Sequence, residues 1–362
     1  MKKVKVKLGQ SGYEIRIGSG ILAEVGHRLT EGGFSDKLVI ITNPIVNRLY
    51  GEALGQNLAR EGFKVNILTV PDGEEQKSLE TAGGLFHELS NIYAERTTPI
   101  LALGGGVIGD LAGFVAATYL RGLPLVQMPT TLLAQVDSSI GGKVAVNHDQ
   151  LKNKIGAFYQ PKSVISDIST LRTLPPKELT NGLAEVIKSA VVWDKDFFAY
   201  LEMSLDRIKS LDEVELEEVV FRTAKIKAEI VSQDETDLGL RRILNYGHTI
   251  GHAIESAADF RLGHGESVAT GMLVAARISN RLGILDQDEL IRLSNLIQRA
   301  GLATETPALE LGKVIQAMRH DKKILGGRIR FVLPKAIGEV LITDEVSLSL
   351  VEQVLGEWHG EP

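Results

Sequence analysis

The sequence predicts an α/β N-terminal domain over residues 1–174 followed by a mostly α-helical C-terminal domain over residues 175–362. Three observations lead there. Up to about residue 160, short runs rich in Val and Ile alternate with segments of helical period, the rhythm of stacked strand and helix units. Beyond Pro175-Pro176 the pattern gives way to long helical periods with charged faces, in Leu201–Gln233 and again in Asp286–Arg299. A chain of 362 residues is also long enough for two domains of ordinary size whose cores need no covalent staple.

In chain order, Val4–Leu8 and Tyr13–Ile17 alternate like the arms of a hairpin, with Gln10-Ser11-Gly12 as its turn. Lys37–Thr42 reads as a strand, Ile45–Arg60 as a helix, Lys64–Val70 as a strand and Leu79–Tyr93 as a helix. Pro99–Leu103 is a further strand. After the glycines that follow it, a helix of small apolar residues runs to about Tyr119, and Leu123–Met128 is the next strand. Near the end of the helical domain, Arg328–Leu333 alternates like a hairpin strand. There is no internal repeat and no low-complexity tract.

The sequence contains no cysteine, so disulfides and thiolate metal sites are excluded and any metal must be held by His, Asp, Glu or water. Met1-Lys2-Lys3-Val4-Lys5 has no long apolar region behind it and does not read as a signal peptide, so a cytoplasmic location is expected. No apolar stretch approaches the roughly 18 to 20 residues of a membrane span. With 40 basic and 46 acidic residues the formal charge is -6, which offers no global attraction for nucleic acid.

Gly104, Gly106 and Gly109 have the spacing G-x-G-x-x-G after a predicted strand and before a predicted helix, the fingerprint of a Rossmann-like nucleotide-binding domain. Glycines there let the backbone approach a pyrophosphate at the helix start; the alternative is a turn needed only for helix–sheet packing. No Asp or Glu stands about 20 residues further on to hold a ribose. Thr42-Asn43 at the end of a strand, or the polar loop Asp72-Gly73-Glu74-Glu75-Gln76-Lys77, are the candidates for that contact.

His248 and His252 are four residues apart and share a face if their segment is helical. His264-Gly265-Glu266 reads as a glycine-flanked loop, and Glu185 stands in an otherwise apolar helical stretch with Lys188. One carboxylate and two of these histidines would suffice for a catalytic divalent ion with an open position. Taken singly, His248 and His252 would more often be hydrogen-bonded helix histidines, and Glu185 an exposed or salt-bridged helix residue. Gly141-Gly142-Lys143 and Lys152-Asn153-Lys154-Ile155-Gly156 combine flexible glycines with cations and an amide, while Lys188, Lys227, Arg241 and Lys322-Lys323 could complete a pocket for a small anion bearing phosphate and carboxylate. Solvated surface lysines are the plainer alternative.

Asp72 to Lys77, Gly104 to Asp110, Met128 to Ser139, Lys152-Asn153 to Pro161, Glu185, Leu244 to Thr249 and His264-Gly265-Glu266 together resemble the 3-dehydroquinate synthase family, in family order and through nearly the whole chain. The resemblance implies that Glu185, His248 and His264 ligate Zn2+, with Co2+ as a substitute, and that His252 is a neighbouring catalytic group rather than a ligand. It implies NAD contacts at Asp72, Gly73, Glu74, Glu75, Gln76, Lys77, Gly105, Gly106, Val107, Ile108, Gly109, Asp110, Thr130, Thr131, Asp137, Lys143, Lys152, Thr170, Leu171, Arg172 and Thr173, with Asn43 near the adenosine ribose.

Substrate contacts by the same resemblance are Asp137, Lys143, Asn153, Lys188, Lys227, Arg241, Asn245, His252, His264 and one of Lys322 or Lys323. Lys152, Asn153 and Arg121 would take the phosphate, with Arg121 supplied by the neighbouring subunit of a homodimer. The implied reaction belongs to the shikimate pathway and to aromatic amino acid biosynthesis. It converts 3-deoxy-D-arabino-heptulosonate 7-phosphate to 3-dehydroquinate and phosphate, through transient oxidation by NAD, phosphate elimination, reduction and aldol closure. The rivals are another sugar-phosphate cyclase and a metal-dependent polyol dehydrogenase. The latter leaves Lys143, Lys152, Asn153 and Arg121 without a purpose.

Overall fold

The computed structural model describes residues 1–149, 151–258, 262–302, 310–320 and 329–358. The chain forms two compact units, Met1–Pro175 with Leu216–Glu235, and Pro176–Glu215 with Thr236–Pro362. The segment Leu216–Glu235 therefore groups with the first unit, where the sequence suggested a single division after residue 174. Its ties explain why: Glu218 pairs with Lys2, Ser232 accepts the Lys7 N–H at 2.8 Å, and Glu235 accepts from Gln160 at 3.0 Å.

The first unit runs β1 (Lys2–Val6), β2 (Tyr13–Gly18), α1 (Val25–Glu31), β3 (Lys37–Thr42), α2 (Pro44–Val46), α3 (Glu52–Arg60), β4 (Lys64–Thr69), α4 (Leu79–Asn91), β5 (Ile100–Gly104), α5 (Gly106–Thr118), β6 (Leu125–Pro129), β7 (Lys143–His148), β8 (Leu151–Phe158) and β9 (Ser163–Asp167). One sheet of seven strands, in the order β1-β2-β9-β6-β5-β3-β4, is parallel except for the antiparallel edge pair β1 and β2. The inner strands β3 and β5 are nearly unbroken apolar runs because both faces of the sheet are covered there, whereas β1, β2 and β4 alternate or carry polar residues. Along β3, Leu38 and Ile40 pack with Leu54 and Leu58 of α3, while Val39 and Ile41 pack on the other face with Leu85 of α4 and Leu111 of α5. The alternation of side chains along a strand sends them to these two cores.

The helix expected over Ile45–Arg60 is interrupted by a wide turn at Asn47–Gly51, between α2 and α3. The region read as glycine-rich loops holding Lys143, Lys152 and Asn153 is instead the antiparallel hairpin β7–β8. Its Val144 and Val146 are buried, and Val144 stands where a Cβ on Gly113 of α5 would come within 2.3 Å. The lysines and glycines at the hairpin's ends masked this alternation in the sequence.

The second unit is mostly helical: α6 (Pro176–Trp193), α7 (Lys195–Lys209), the start of α8 (Glu213–Gln233), α9 (His248–Ala257), α10 (His264–Arg281), α11 (Gln287–Arg299), α12 (Leu311–His320) and α13 (Leu348–Trp358). One hairpin, β10 (Phe331–Ala336) with β11 (Glu339–Thr343), accompanies the helices. The expected strand at Arg328–Leu333 thus lies slightly later, with Arg328 itself outside the described residues. Among the described residues, no helix is long and apolar enough to cross a membrane.

Candidate active site

In the first unit, β4 flanks β3 on one side and β5 on the other, so the strand order reverses there. Ligands of open α/β sheets bind outside the carboxyl ends of strands at such a reversal. At that end β3 delivers Asn43 and β5 delivers Gly104. Helix α5 starts from Gly105, which has no side chain to cap it, so the first backbone N–H groups of the helix keep no side-chain acceptor. None of Gly104, Gly105, Gly106 and Gly109 has a positive φ. They serve close approach: a Cβ at Gly104 would lie 2.8 Å from Ile108 Cβ, and one at Gly109 2.9 Å from Gln127 Oε1. Gln127 on β6 also donates to the Gly109 carbonyl at 3.0 Å, which locks helix to sheet. This uncapped, closely approachable helix start fits a pyrophosphate. The φ of -76° at Gly105 suits any residue and a Cβ there would press only on the Thr131 methyl at 3.1 Å, so Gly105→Ala should fold normally yet lower NAD affinity by about tenfold or more, as the loss of roughly 1.4 kcal/mol of binding requires. Calorimetric titration checks this, and unchanged affinity would remove Gly105 from the site.

The two ribose candidates meet. Asn43 Nδ2 donates to Asp72 Oδ1 at 2.8 Å while Asn43 Oδ1 caps Val46 N–H, so the amide aims the carboxylate. Gly73 takes a φ of 124°, which only glycine adopts freely, and Glu74, Glu75 and Gln76 follow in a single 3-10 turn. Lys77 is buried; its Nζ donates to Asp110 Oδ2 at 2.6 Å and also reaches Asn153 Oδ1. Burial pushes the Asp110 carboxyl up, against the pull of Lys77. Asp137, at the turn after β6, receives Lys227 Nζ at both its carbonyl, 2.8 Å, and its Oδ1, 2.5 Å. Val107 is half-buried beside Ile108, which is core. Thr130 N–H donates to the Gly104 carbonyl at 3.0 Å, and Thr131 Oγ1 caps Ala134 N–H.

Of the segment Thr170–Thr173, Leu171 is core and the Thr170 hydroxyl is spent on the Asp167 carbonyl at 2.7 Å, leaving Arg172 and Thr173 exposed. Arg121 is exposed in a turn where Leu120, Arg121 and Gly122 all have positive φ, of 48°, 66° and 126°. Two non-glycine residues held left-handed in succession are strained by roughly 1–2 kcal/mol each, the kind of expense that marks functional turns. Lys143 and Lys152 are exposed on the β7–β8 hairpin.

In the second unit, three helices converge through glycines. A Cβ on Gly271 of α10 would fall 2.0 Å from the Gly247 carbonyl oxygen, one on Gly251 of α9 2.7 Å from the Ser267 carbonyl, and one on Gly265 2.4 Å from the Asn181 carbonyl of α6. Gly247 itself has a φ of 78°. This close packing sets His248 and His264, the first residues of α9 and α10, beside Glu185 on α6. His264 therefore opens a helix, a correction to the loop expected from its flanking glycines; the Glu266 carboxylate caps that helix by accepting the Gly263 N–H at 2.8 Å.

Glu185 Oε1 lies 3.4 Å from Nε2 of His248 and 3.4 Å from Nε2 of His264. Ligands at about 2.0–2.1 Å around a tetrahedral ion stand roughly 3.3–3.4 Å apart. Glu185 is 1 % exposed, and neither of its carboxylate oxygens accepts a well-formed hydrogen bond, although Lys188, 2 % exposed, pairs with it by charge. His248 Nδ1 lies 3.1 Å from the Tyr246 carbonyl, so Nδ1–H donates there and the Nε2 lone pair is left for a metal. Two imidazoles and a carboxylate form a donor set of catalytic zinc, and the residues fit the ion. Burial works to raise the Glu185 carboxyl, but Lys188, His248 and His264 outweigh it and hold it well below the usual range. Burial lowers His248; for His264, Glu185 and Glu255 overcome burial and lift it to about 9.

His252, one turn beyond His248, is exposed, with its ring 5.2 Å from that of His248 and 6.1 Å from that of His264. Arg241 is buried and Asn245 half-buried in the 3-10 segment Leu240–Asn245 that leads into Tyr246. Lys322 and Lys323 lie outside the described residues. Sequence reasoning missed Glu255, whose Oε2 stands 3.9 Å from His264 Nδ1, and Tyr246, whose hydroxyl donates to the Met272 carbonyl at 2.9 Å and fixes the approach to α9. Helical spacing alone ties Glu255 to His252, three residues earlier, and that signal was available.

Two family models match, described as the 3-dehydroquinate synthase N-terminal region over residues 67–181 and the 3-dehydroquinate synthase C-terminal region over residues 182–324. A curated protein of Dehalococcoides mccartyi named 3-dehydroquinate synthase is 50% identical over 357 residues, 99% of each chain. Among solved structures, 2-deoxy-scyllo-inosose synthase complexed with carbaglucose-6-phosphate, NAD+ and Co2+ superposes with a TM-score of 0.91 at 27% identity, covering 98% of this chain and 100% of the other. ValA, the 2-epi-5-epi-valiolone synthase of Streptomyces hygroscopicus with NAD+ and Zn2+ bound, gives a TM-score of 0.89 at 27% identity over 96% and 97%.

Proposed function

We propose how the residues of this chain, which belongs to the 3-dehydroquinate synthase family, divide the work of converting 3-deoxy-D-arabino-heptulosonate 7-phosphate to 3-dehydroquinate and phosphate. The chain acts as a phosphate-eliminating carbon–oxygen lyase that uses NAD and a divalent metal without net consumption of NAD. The observation that carries the reading is the convergence of the buried Glu185 with the partly exposed His248 and His264, with Lys188 beside them.

Glu185, His248 and His264 hold the metal, and the uncapped start of α5, with Asp72, Lys77, Asp110 and Thr131 around it in the first unit, holds NAD. When bound, the metal would supply Lewis acidity toward the reacting hydroxyl and ketone, and NAD would supply reversible hydride acceptance. His252 accepts the hydroxyl proton at a ring nitrogen, as an exposed imidazole can near neutral pH. Lys152, Asn153 and Arg121 bind the phosphate, which leaves with the proton of the neighbouring carbon. Lys143, Lys188, Lys227, Arg241 and Asn245 orient the remaining hydroxyls and the carboxylate, Lys227 from the position that Asp137 fixes for it. Lys143 and Lys152 also contact NAD in this reading. Residues 1–174 supply the nucleotide groups and most of the remainder the metal groups.

The test is zinc-loaded protein with catalytic NAD and the heptulosonate phosphate. Phosphate and dehydroquinate are expected in equal amounts with no net NADH. NADH accumulating on a polyol would move the chain to the dehydrogenases, and phosphate release from a different sugar phosphate alone would make it another cyclase.

The strained turn supports a special role for Arg121, supplied in trans within a cytoplasmic homodimer. Arg121→Ala and Glu185→Ala, each inactive alone, are then expected to recover activity when mixed and reassembled, because one of the two sites in the mixed dimer is intact. Failure to complement would place Arg121 in its own subunit's site.

A further inference from the structure

Asn147 of β7 stands between the loop Asp72–Lys77, assigned above to NAD, and Lys152-Asn153 at the start of β8, assigned to the phosphate. Its backbone N–H donates to the Lys77 carbonyl at 2.7 Å, which bridges β7 to Ser78. Its side-chain amide is used at both ends. Nδ2 donates to Glu74 Oε1 at 2.9 Å, and Oδ1 accepts the backbone N–H of Asn153 at 2.9 Å. Asn153 has a φ of 53°, a left-handed conformation that a non-glycine residue keeps only where its surroundings fix it. The Asn153 side chain in turn meets Lys77 Nζ, whose other partner is Asp110 on α5. A closed circuit results: Glu74, Asn147, Asn153, Lys77 and back to Glu74 along the chain.

The chemistry of the amide is specific. Glu74 presents a carboxylate and needs a donor; the Asn153 N–H needs an acceptor; one short planar group supplies both. Aspartate keeps the acceptor but turns a second negative charge on Glu74, and alanine loses both contacts. We infer that Asn147 is a positioning residue that links the loop Asp72–Lys77 to Lys152-Asn153 of β8, so that filling either segment sets the backbone of the other. This rests on the assignment of those two segments to NAD and phosphate. It makes binding of the cofactor and of the phosphate group cooperative, and reciprocally so.

The experiment is calorimetric titration of NAD into the zinc-loaded full chain with and without saturating inorganic phosphate, for the wild type, Asn147→Ala and Asn147→Asp, with melting temperatures alongside. In the wild type, phosphate should tighten NAD binding by about fivefold or more, the lower end of ordinary coupling. In Asn147→Ala, phosphate should leave NAD affinity unchanged while the melting temperature stays near that of the wild type, a separation that general loss of structure would not give. Asn147→Asp should weaken NAD binding yet keep wild-type affinity for phosphate alone, and it carries the test if the alanine variant does not fold. Wild-type coupling retained in both variants would overturn the inference, as would a wild type that binds NAD and phosphate independently. A wild type that binds neither would overturn the functional reading beneath it.

Discussion

Glu185→Ala should lose its zinc and with it roughly 10³-fold or more of kcat/KM, because a Lewis acid supplies several kcal/mol to the reacting state and each 1.36 kcal/mol is tenfold. The same change should destabilise the protein by about 3–5 kcal/mol, the usual result of removing one partner of a buried ion pair, since Lys188, 2 % exposed, loses the carboxylate it pairs with. The two effects separate in the double variant Glu185→Ala with Lys188→Met. Replacing both charges by apolar groups should return most of the stability and none of the zinc. Metal content by atomic absorption and denaturant melts read the two quantities independently. Full metal content in Glu185→Ala would refute the ligand assignment, and a double variant no more stable than the single one would refute the account of Lys188.

A single methyl group on Gly271 should be nearly as damaging. In an open helix position, Gly→Ala gains up to about 1 kcal/mol. Here the added carbon would sit 2.0 Å from the Gly247 carbonyl oxygen and 2.7 Å from the Gly251 N–H nitrogen, both backbone atoms of the segment that presents His248. Overpacking of this kind costs about 3 kcal/mol or more when backbone must move. Gly271→Ala should therefore melt early and bind zinc more weakly, although it lies more than one helical turn from any ligand in its own helix. Gly83→Ala in α4 is the control, because a Cβ there meets nothing within 4 Å. It should be neutral or slightly stabilising. Equal behaviour of the two variants in thermal melts and zinc titration would show that the close packing of α9 on α10 is not what sets the site.

The strands and helices of the first unit were legible wherever burial on both faces or on one stripe left an unbroken apolar period, as in Leu38–Ile41 or Leu79–Asn91. The glycine fingerprint was legible for the same local reason: Gly104 to Gly109 lie in one strand–helix turn. The β7–β8 hairpin was not. Among its described residues only Val144 and Val146 are fully buried, with Ile155 half-buried against the same core, and its ends carry the lysines, asparagines and glycines that ordinarily mark loops. The metal trio was partly legible. Spacing could pair His248 with His252, but nothing in the order of residues brings Glu185 to positions 63 and 79 residues later, from 248 - 185 and 264 - 185. That convergence depends on glycines at 247, 251, 265 and 271 removing the side chains that would keep three helices apart. Only the family resemblance anticipated it. The loop reading of His264 failed because the helix's cap is Glu266 acting on Gly263, a contact made by a residue inside the helix rather than by a polar residue before it.

The glycine seam between α6, α9 and α10 has a consequence for how the protein meets its metal in a cell. Where a small domain has no core of its own, the ion is the organiser and a chelator unravels the chain. Here the three donor groups are brought together by backbone packing, with Lys188 balancing the carboxylate. Protein made during metal starvation would accumulate as a folded reserve, resistant to proteolysis, and the onset of catalysis after resupply would be limited by delivery of the ion rather than by new synthesis or refolding.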